Sequence, residues 1–207
     1  PFFNYIFTNM IKAIIFDLGG VIVDTNLIQD RLVDLFNVKD KAKFWQQINH
    51  EMIPLCRGDI NERQFWKNVA HRYNVDEKKV PKNLLSKNFR ESIRLNKELL
   101  QLISKLKNEY KVAVISNIIE HHSKINESMG LYEYFHHLVL SYKVRLTKDS
   151  AEIFTLAAKK LKVKPEECIF IDDVTKFVNV AKSVGMKSIL FENNKQLKSD
   201  LKKLLRF

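Results

Sequence analysis

The sequence predicts an α/β protein, a doubly wound and mainly parallel sheet carrying a small all-helical insertion. Two observations lead there. Five short apolar runs, β-branched and bounded by polar residues, alternate with helical patterns, as strands buried on both faces of a parallel sheet do. One long segment after the first run breaks that rhythm, with helical periodicity and no convincing strand.

The five runs are IKAIIFDL from Ile11, KVAVIS from Lys111, HLVLS from His137, CIFID from Cys168 and KSILF from Lys187. Between them, Asn96 to Lys107 places Leu99, Leu100, Leu102, Ile103 and Leu106 on one helical face. Ala151 to Leu161 repeats the pattern with Ile153, Phe154, Leu156, Ala157 and Leu161, and Asp149 followed by Glu152 reads as its capping box. Phe177 to Val184 gives a short helix ended by Gly185. The tail from Gln196 carries Leu197, Leu201 and Leu204 at helical spacing, as a final helix packed on the sheet. Strand–helix alternation implies right-handed crossovers. Between Asp24 and about Arg94 the stripes are Phe44, Trp45 and Ile48, then Phe65, Trp66 and Val69. The expected division is a core of residues 10–24 and 92–207 and a helical cap of residues 25–91. Such a cap sits over the carboxyl ends of the strands, where open α/β sheets bind ligands.

Bulk composition sets the outer bounds. The chain has 207 residues, 45% hydrophobic and 29% charged, with fourteen Phe for a core and only five Gly and four Pro. That suits one core domain with an inserted subdomain. The net charge is +11, but lysines such as Lys159, Lys160, Lys162 and Lys164 are scattered along helices and form no long basic run. The charge reads as a solvated surface, with steering of an anionic small substrate as the functional alternative. No nucleic-acid-binding motif accompanies it. Cys56 and Cys168 are far apart, with no CxxC pair, which fits a reducing, cytoplasmic setting. No apolar stretch has transmembrane length. The opening PFFNYIFTNM lacks a basic n-region and a small-residue cleavage site, so the residues before Met10 read as an extension and not a signal.

The chemistry gathers at strand ends. After AIIF come Asp17, Leu18, Gly19 and Gly20; after VAVI come Ser116 and Asn117; the loop after LVLS leads to Lys148; after CIFI come Asp172 and Asp173. Parallel strands bring all four groups to one sheet edge. Carboxylates meeting there repel and rise in pKa, and a hard divalent cation relieves this; Mg²⁺ takes one or two carboxylates, waters and a substrate phosphate. An aspartate attacking phosphorus gives an aspartyl-phosphate that water hydrolyses, while a lysine and the metal neutralise the phosphoryl oxygens. Each piece alone is ordinary turn or cap chemistry; their order and shared placement make the pattern specific. His121-His122 and His136-His137 are adjacent pairs whose rings point apart, so neither pair chelates by itself; His121 and His122, after the second motif, read as exposed helix-start residues, with a place at the site mouth as the alternative.

FDLGGVIVD, VISN, SYKVRLTKDSAEIF and IFIDD…AKSVGM together resemble the haloacid dehalogenase-like superfamily, from Ile11 to Phe191, nearly the whole chain. CRGDINERQFW resembles the helical cap that this family carries between its first two motifs. The resemblance implies a Rossmannoid core and a Mg²⁺-dependent phosphatase acting on a small phosphorylated metabolite. It makes Asp17 the nucleophile and a metal ligand, Gly19 a ligand through its backbone carbonyl, and Asp173 the metal-ligating carboxylate. Asp172 ligates directly or through water. Ser116 binds phosphate, with Asn117 and Gly20 beside it, and Lys148 steadies the phosphoryl group.

Four positions depart from the family pattern. Gly19 replaces the aspartate that protonates the leaving group and then activates water, a role worth about 10²–10⁴-fold. Arg145 stands where Gly is common, Asp149 where Pro follows the lysine, and Phe177 where Asn or Asp follows the acidic pair; the last loses a hydrogen bond that would support metal geometry. The expected consequences are a preference for good leaving groups such as sugar-1-phosphates, a proton supplied by Asp59, Arg57, Asp24 or water, or a catalytically weak relative that binds a ligand or partner. A metal-free dehalogenase attacking carbon is disfavoured by the Asp172-Asp173 pair.

Overall fold

The computed structural model describes residues 10–24, 40–80 and 84–205. The strands are β1 (Ala13–Phe16), β2 (Val23–Asp24), β3 (Arg94–Leu95), β4 (Lys111–Ser116), β5 (His137–Leu140), β6 (Cys168–Asp172) and β7 (Lys187–Leu190). Five of them form one sheet in the order β5-β4-β1-β6-β7, and every pairing in it is parallel. The chain moves outward from β1 through β4 to β5, then returns to the other side of β1 as β6 and β7. The order therefore reverses beside the central strand, the place where such sheets open a crevice at their carboxyl ends.

The strands are apolar throughout because both sheet faces are covered. Ile14, Phe16, Val112, Val114, Ile169 and Ile171 pack on one side; Ala13, Ile15, Ala113, Ile115, Cys168 and Phe170 pack on the other. This is the period-two alternation of a strand read against two helical layers.

The helices are α1 (Lys41–Cys56), α2 (Glu62–Arg72), α3 (Leu84–Ser92), α4 (Lys97–Leu106), α5 (Glu120–Ser128), α6 (Ser141–Val144), α7 (Ala151–Leu161), α8 (Thr175–Ser183) and α9 (Asn194–Leu205). Leu99, Leu100 and Ile103 of α4 and Leu197 and Leu201 of α9 cover the first face. Ile153, Phe154, Ala157 and Leu161 of α7 and Ala181 of α8 cover the second. No helix among the described residues is long and apolar enough to cross a membrane.

Helices α1 to α3 occupy the segment that breaks the strand rhythm. Phe44, Ile48, Phe65, Trp66 and Val69 are buried in the same apolar cluster as Leu18, Val21 and Ile22, so the insertion shares its core with the start of the β1 crossover. The side chain of Trp45, residues 25–39 and the residues before Met10 lie outside the described residues. A short antiparallel ribbon, Val23 and Asp24 against Arg94 and Leu95, closes the base of the insertion; two-residue strands carry too little periodicity to be read from sequence.

Two local expectations are corrected. The cap of α7 is Ser150, whose hydroxyl accepts from Glu152 N–H at 3.3 Å. Asp149 instead pairs with Lys176. His122 is not an exposed helix-start residue: its ring stacks on Phe89 of α3 with centroids 3.9 Å apart, and Nε2 lies 3.3 Å from the Leu85 carbonyl. Burial pulls its pKa down to about 4, so it is a neutral rivet between the insertion and α5.

Asn96 ties three distant segments together. Its side-chain oxygen caps α4 by accepting from Leu99 N–H at 3.2 Å, and its amide donates to Val21 O at 3.2 Å and Asn194 Oδ1 at 2.8 Å. Asn96→Ala is expected to destabilise the fold by about 1–2 kcal/mol, measured by denaturant unfolding. A loss below a few tenths would show that these contacts are replaced by water.

Candidate active site

Lys148 stands at the middle of the site. It is 2% exposed, yet its ammonium lies 2.8 Å from Asp17 Oδ1 and 2.6 Å from Asp172 Oδ2. Asp17 follows the last residue of β1 and Asp172 ends β6, on neighbouring central strands whose pairing continues through Asp17 N–H to Ile171 O at 2.9 Å. The lysine reaches them from the loop before α7, and that loop is pinned: Asn117 Oδ1 accepts from Lys148 N–H at 2.8 Å. Asn117, expected as a substrate-binding group, thus spends its amide oxygen on holding the lysine backbone. Ser116, the last residue of β4, is buried at the same edge.

Asp173 completes an acidic cluster. Asp17, Asp172 and Asp173 each offer a carboxylate oxygen, all within 4.8 Å of one another. Against one ammonium, three carboxylates leave two negative charges uncompensated, so the donor set fits a hard dication. The backbone beside it is shaped for the acidic side chain. Gly20 has φ +77°, and a Cβ there would fall 1.9 Å from Asp173 Oδ2. Gly19 differs: a Cβ would meet nothing within 4 Å, and its φ lies outside the left-handed region. The position that lacks the family's acid–base aspartate is open space.

Electrostatics follow burial. Desolvation pushes Asp17 up to about 7 despite the opposing charge of Lys148. Desolvation and the Asp172 charge raise Asp173 as well. Burial pulls Lys148 down, but the charges and hydrogen bonds of Asp17 and Asp172 outweigh it and hold the ammonium above the usual lysine value.

A family profile described as haloacid dehalogenase-like hydrolase matches residues 11–185. The chain belongs to the haloacid dehalogenase-like hydrolases. Among relatives of this hydrolase, the D-ribitol-5-phosphate phosphatase of Bacteroides thetaiotaomicron is 27% identical over 208 residues, covering 95% of this chain and 99% of the relative. A HAD-like family hydrolase from Porphyromonas gingivalis superposes with a TM-score of 0.77 at 20% identity, covering 96% of this chain and 99% of that one. A HAD family enzyme from Bacteroides thetaiotaomicron, crystallised with magnesium and inorganic phosphate, gives 0.67 at 23% identity, covering 90% and 98%. At these identities the solved structures speak for the fold.

The other departures from the family pattern all have partners. Arg145 has φ 57°, a left-handed conformation natural to glycine, and reaches Asp59 at 2.8 Å. Arg57 holds the other oxygen of Asp59 at 2.6 Å. Asp59 and Arg57, expected as proton donors, are therefore engaged with each other and with Arg145; Asp24 is exposed in the β2–β3 ribbon. Phe177 presents its ring to Lys148 Nζ, 4.6 Å from the centroid. Cys56, at the end of α1, is a buried free thiol pushed up to about 12 by burial. Sequence reasoning did not single out Tyr142 and Gly58: a Cβ on Gly58 (φ +73°) would lie 3.3 Å from Tyr142 O, so this loop sits directly on α6.

Gly20→Ala is expected to displace Asp173 and to weaken Mg²⁺ binding, measured by calorimetry, without unfolding the protein. Unchanged affinity would remove Asp173 from the metal set. Metal-free stability carries a signature too. Asp17 is raised in the folded state, so its contribution is full below about pH 4 and is lost as pH rises through about 7. Saturating Mg²⁺ at about 100-fold over its Kd should raise the thermal midpoint by roughly 5–10 °C at pH 7.5, and by less at pH 5, where the proton competes. An equal rise at both pH values would contradict this.

Proposed function

We propose that this hydrolase is a magnesium-dependent phosphatase of a small phosphorylated metabolite, with Asp17 as nucleophile. The observation that carries it is Lys148, buried between Asp17 and Asp172 with Asp173 adjoining. The D-ribitol-5-phosphate phosphatase relative and the neighbour crystallised with magnesium and phosphate support the same reading.

A dication held by Asp17, Asp173 and the Gly19 carbonyl, with Asp172 direct or through water, would supply charge neutralisation and orientation of the phosphoryl group. The remaining work belongs to the chain. Asp17 attacks phosphorus, the P–O bond to the leaving group breaks, and an aspartyl-phosphate forms; water then releases inorganic phosphate and regenerates Asp17. Lys148 compensates charge on the phosphoryl oxygens, and Ser116 donates a hydroxyl to them. Asn117 keeps the lysine loop in register.

Residues 25–91 are proposed as the cap. A cavity of about 740 Å³ lies between α2 and α5, lined by Leu55, Asp59, Ile119, His121 and Tyr142 among others. It is a place for the non-reacting part of the substrate, with polar groups suited to hydroxyls. Gly19 provides no proton for the departing oxygen, so the leaving group must be a good one, as in sugar-1-phosphates.

Hydrolysis of p-nitrophenyl phosphate should require Mg²⁺ and disappear in Asp17→Asn. Across aryl and alkyl phosphates, rates should fall steeply as the leaving-group pKa rises. Gly19→Asp, whose Cβ would meet nothing within 4 Å, should recover part of the about 10²–10⁴-fold acid–base contribution on alkyl esters. Equal rates on both ester types, or a Gly19→Asp variant that gains nothing, would contradict the leaving-group preference; absence of Mg²⁺-dependent p-nitrophenyl phosphate turnover would favour the second reading of a weakly catalytic binding protein.

A further inference from the structure

Lys148 has two carboxylate partners and one aromatic neighbour. Its ammonium sits over the face of Phe177, 4.6 Å from the ring centroid. The electron-rich face of a benzene ring attracts a cation, more strongly when water is excluded, and this lysine is almost wholly buried. The backbone that carries the ring is tied to the site. Phe177 N–H donates to Val174 O at 3.0 Å, and Val174 N–H donates to Asp172 Oδ1 at 2.8 Å. One turn at the start of α8 therefore links the Phe177 backbone to the Asp172 carboxylate. Lys176, paired with Asp149, lies over the same ring at 6.0 Å.

An aromatic partner does something a polar one does not. A carboxylate or amide oxygen occupies an N–H of the ammonium, whereas a ring face holds the charge by its quadrupole and takes up no lone-pair contact. When Asp17 turns to phosphorus, Lys148 loses a partner and needs another that leaves its N–H groups available. We propose that Phe177 is a positioning residue that steers the Lys148 ammonium toward the phosphoryl oxygens through its ring face; this rests on the phosphatase reading above.

The test separates the π face from the bulk of the side chain. Phenylalanine analogues with one, two and three fluorines at position 177 keep the shape and progressively weaken the face. kcat should fall stepwise along the series, reaching about 5–30-fold with three fluorines and in Phe177→Leu. Phe177→Tyr should stay within about twofold of wild type, since its ring face persists. The thermal midpoint should hardly move. Calorimetric affinity for inorganic phosphate, measured with Mg²⁺ present, should weaken in the same order. A flat fluorinated series with a damaged Leu variant would mean that the ring only packs, and would overturn the proposal while leaving the phosphatase intact. Graded phosphate binding without turnover would sink the phosphatase reading and keep Phe177 in its role. A protein that neither hydrolyses esters nor binds phosphate would end both.

Discussion

A positive charge buried at the carboxyl edge of a parallel sheet is the constraint on which this structure turns. Lys148 cannot stay charged there without Asp17 and Asp172, and those carboxylates cannot lie side by side without it. Each comes from a different part of the chain: the first strand, the loop before α7 and the fourth strand of the sheet. Only the order β4-β1-β6, with β1 at the centre, brings them within hydrogen-bonding distance. Burial of the strands on both faces by α4, α9, α7 and α8 then holds the three ends still. The sheet and the site are thus one construction: the apolar faces supply rigidity, and the polar ends spend it.

The insertion meets the core at a second set of charges. Asp59 receives Arg57 from its own loop and Arg145 from the core. Arg145 is exposed, so this pair adds little stability, commonly below about 1 kcal/mol. Its left-handed backbone costs about 1–2 kcal/mol that glycine would not. The balance is unfavourable as a stability device. It makes sense as a device of position, because Arg145 lies three residues before Lys148 and Gly58 rests on the backbone of Tyr142. The neutral His122, stacked on Phe89, joins the two parts on another side.

Much of this was legible in the sequence, for a physical reason. Strands buried on both faces are continuous apolar runs, and the five runs coincide with the five sheet strands to within a few residues. The strand-end residues converge because parallel topology leaves them one place to go, so Asp17, Ser116, Lys148, Asp172 and Asp173 share an edge as expected. Pairwise partners were not legible. Asp149 looked like a helix cap because its spacing to Glu152 was right; Lys176, the second residue of α8, competes for it, and Ser150 takes the cap. For Asn117 the sequence offered its place beside Ser116 but not the hydrogen bond its Oδ1 accepts from Lys148 N–H. Phe177 read as a lost hydrogen bond, since a sequence gives the missing polar atom and not the ring face that replaces it.

Charge accounting ties the site to the rest of the surface. Three carboxylates and one ammonium leave the cluster at two negative charges when all are ionised, which is why burial drives Asp17 toward neutrality and why the set suits a dication. Once the cluster is neutralised, the phosphate of the proposed reaction would again bring negative charge to it. Lys148 is the only cation among the described residues placed within contact of Asp17, and the long-range field must come from elsewhere. If the proposed substrate is an anion, a chain carrying +11 overall would supply it without a basic cluster at the site, because scattered lysines raise the potential everywhere while the carboxylates keep the local balance. On the proposed function the basic composition and the acidic centre are complementary: one would attract an anion, the other keeps the means of holding it.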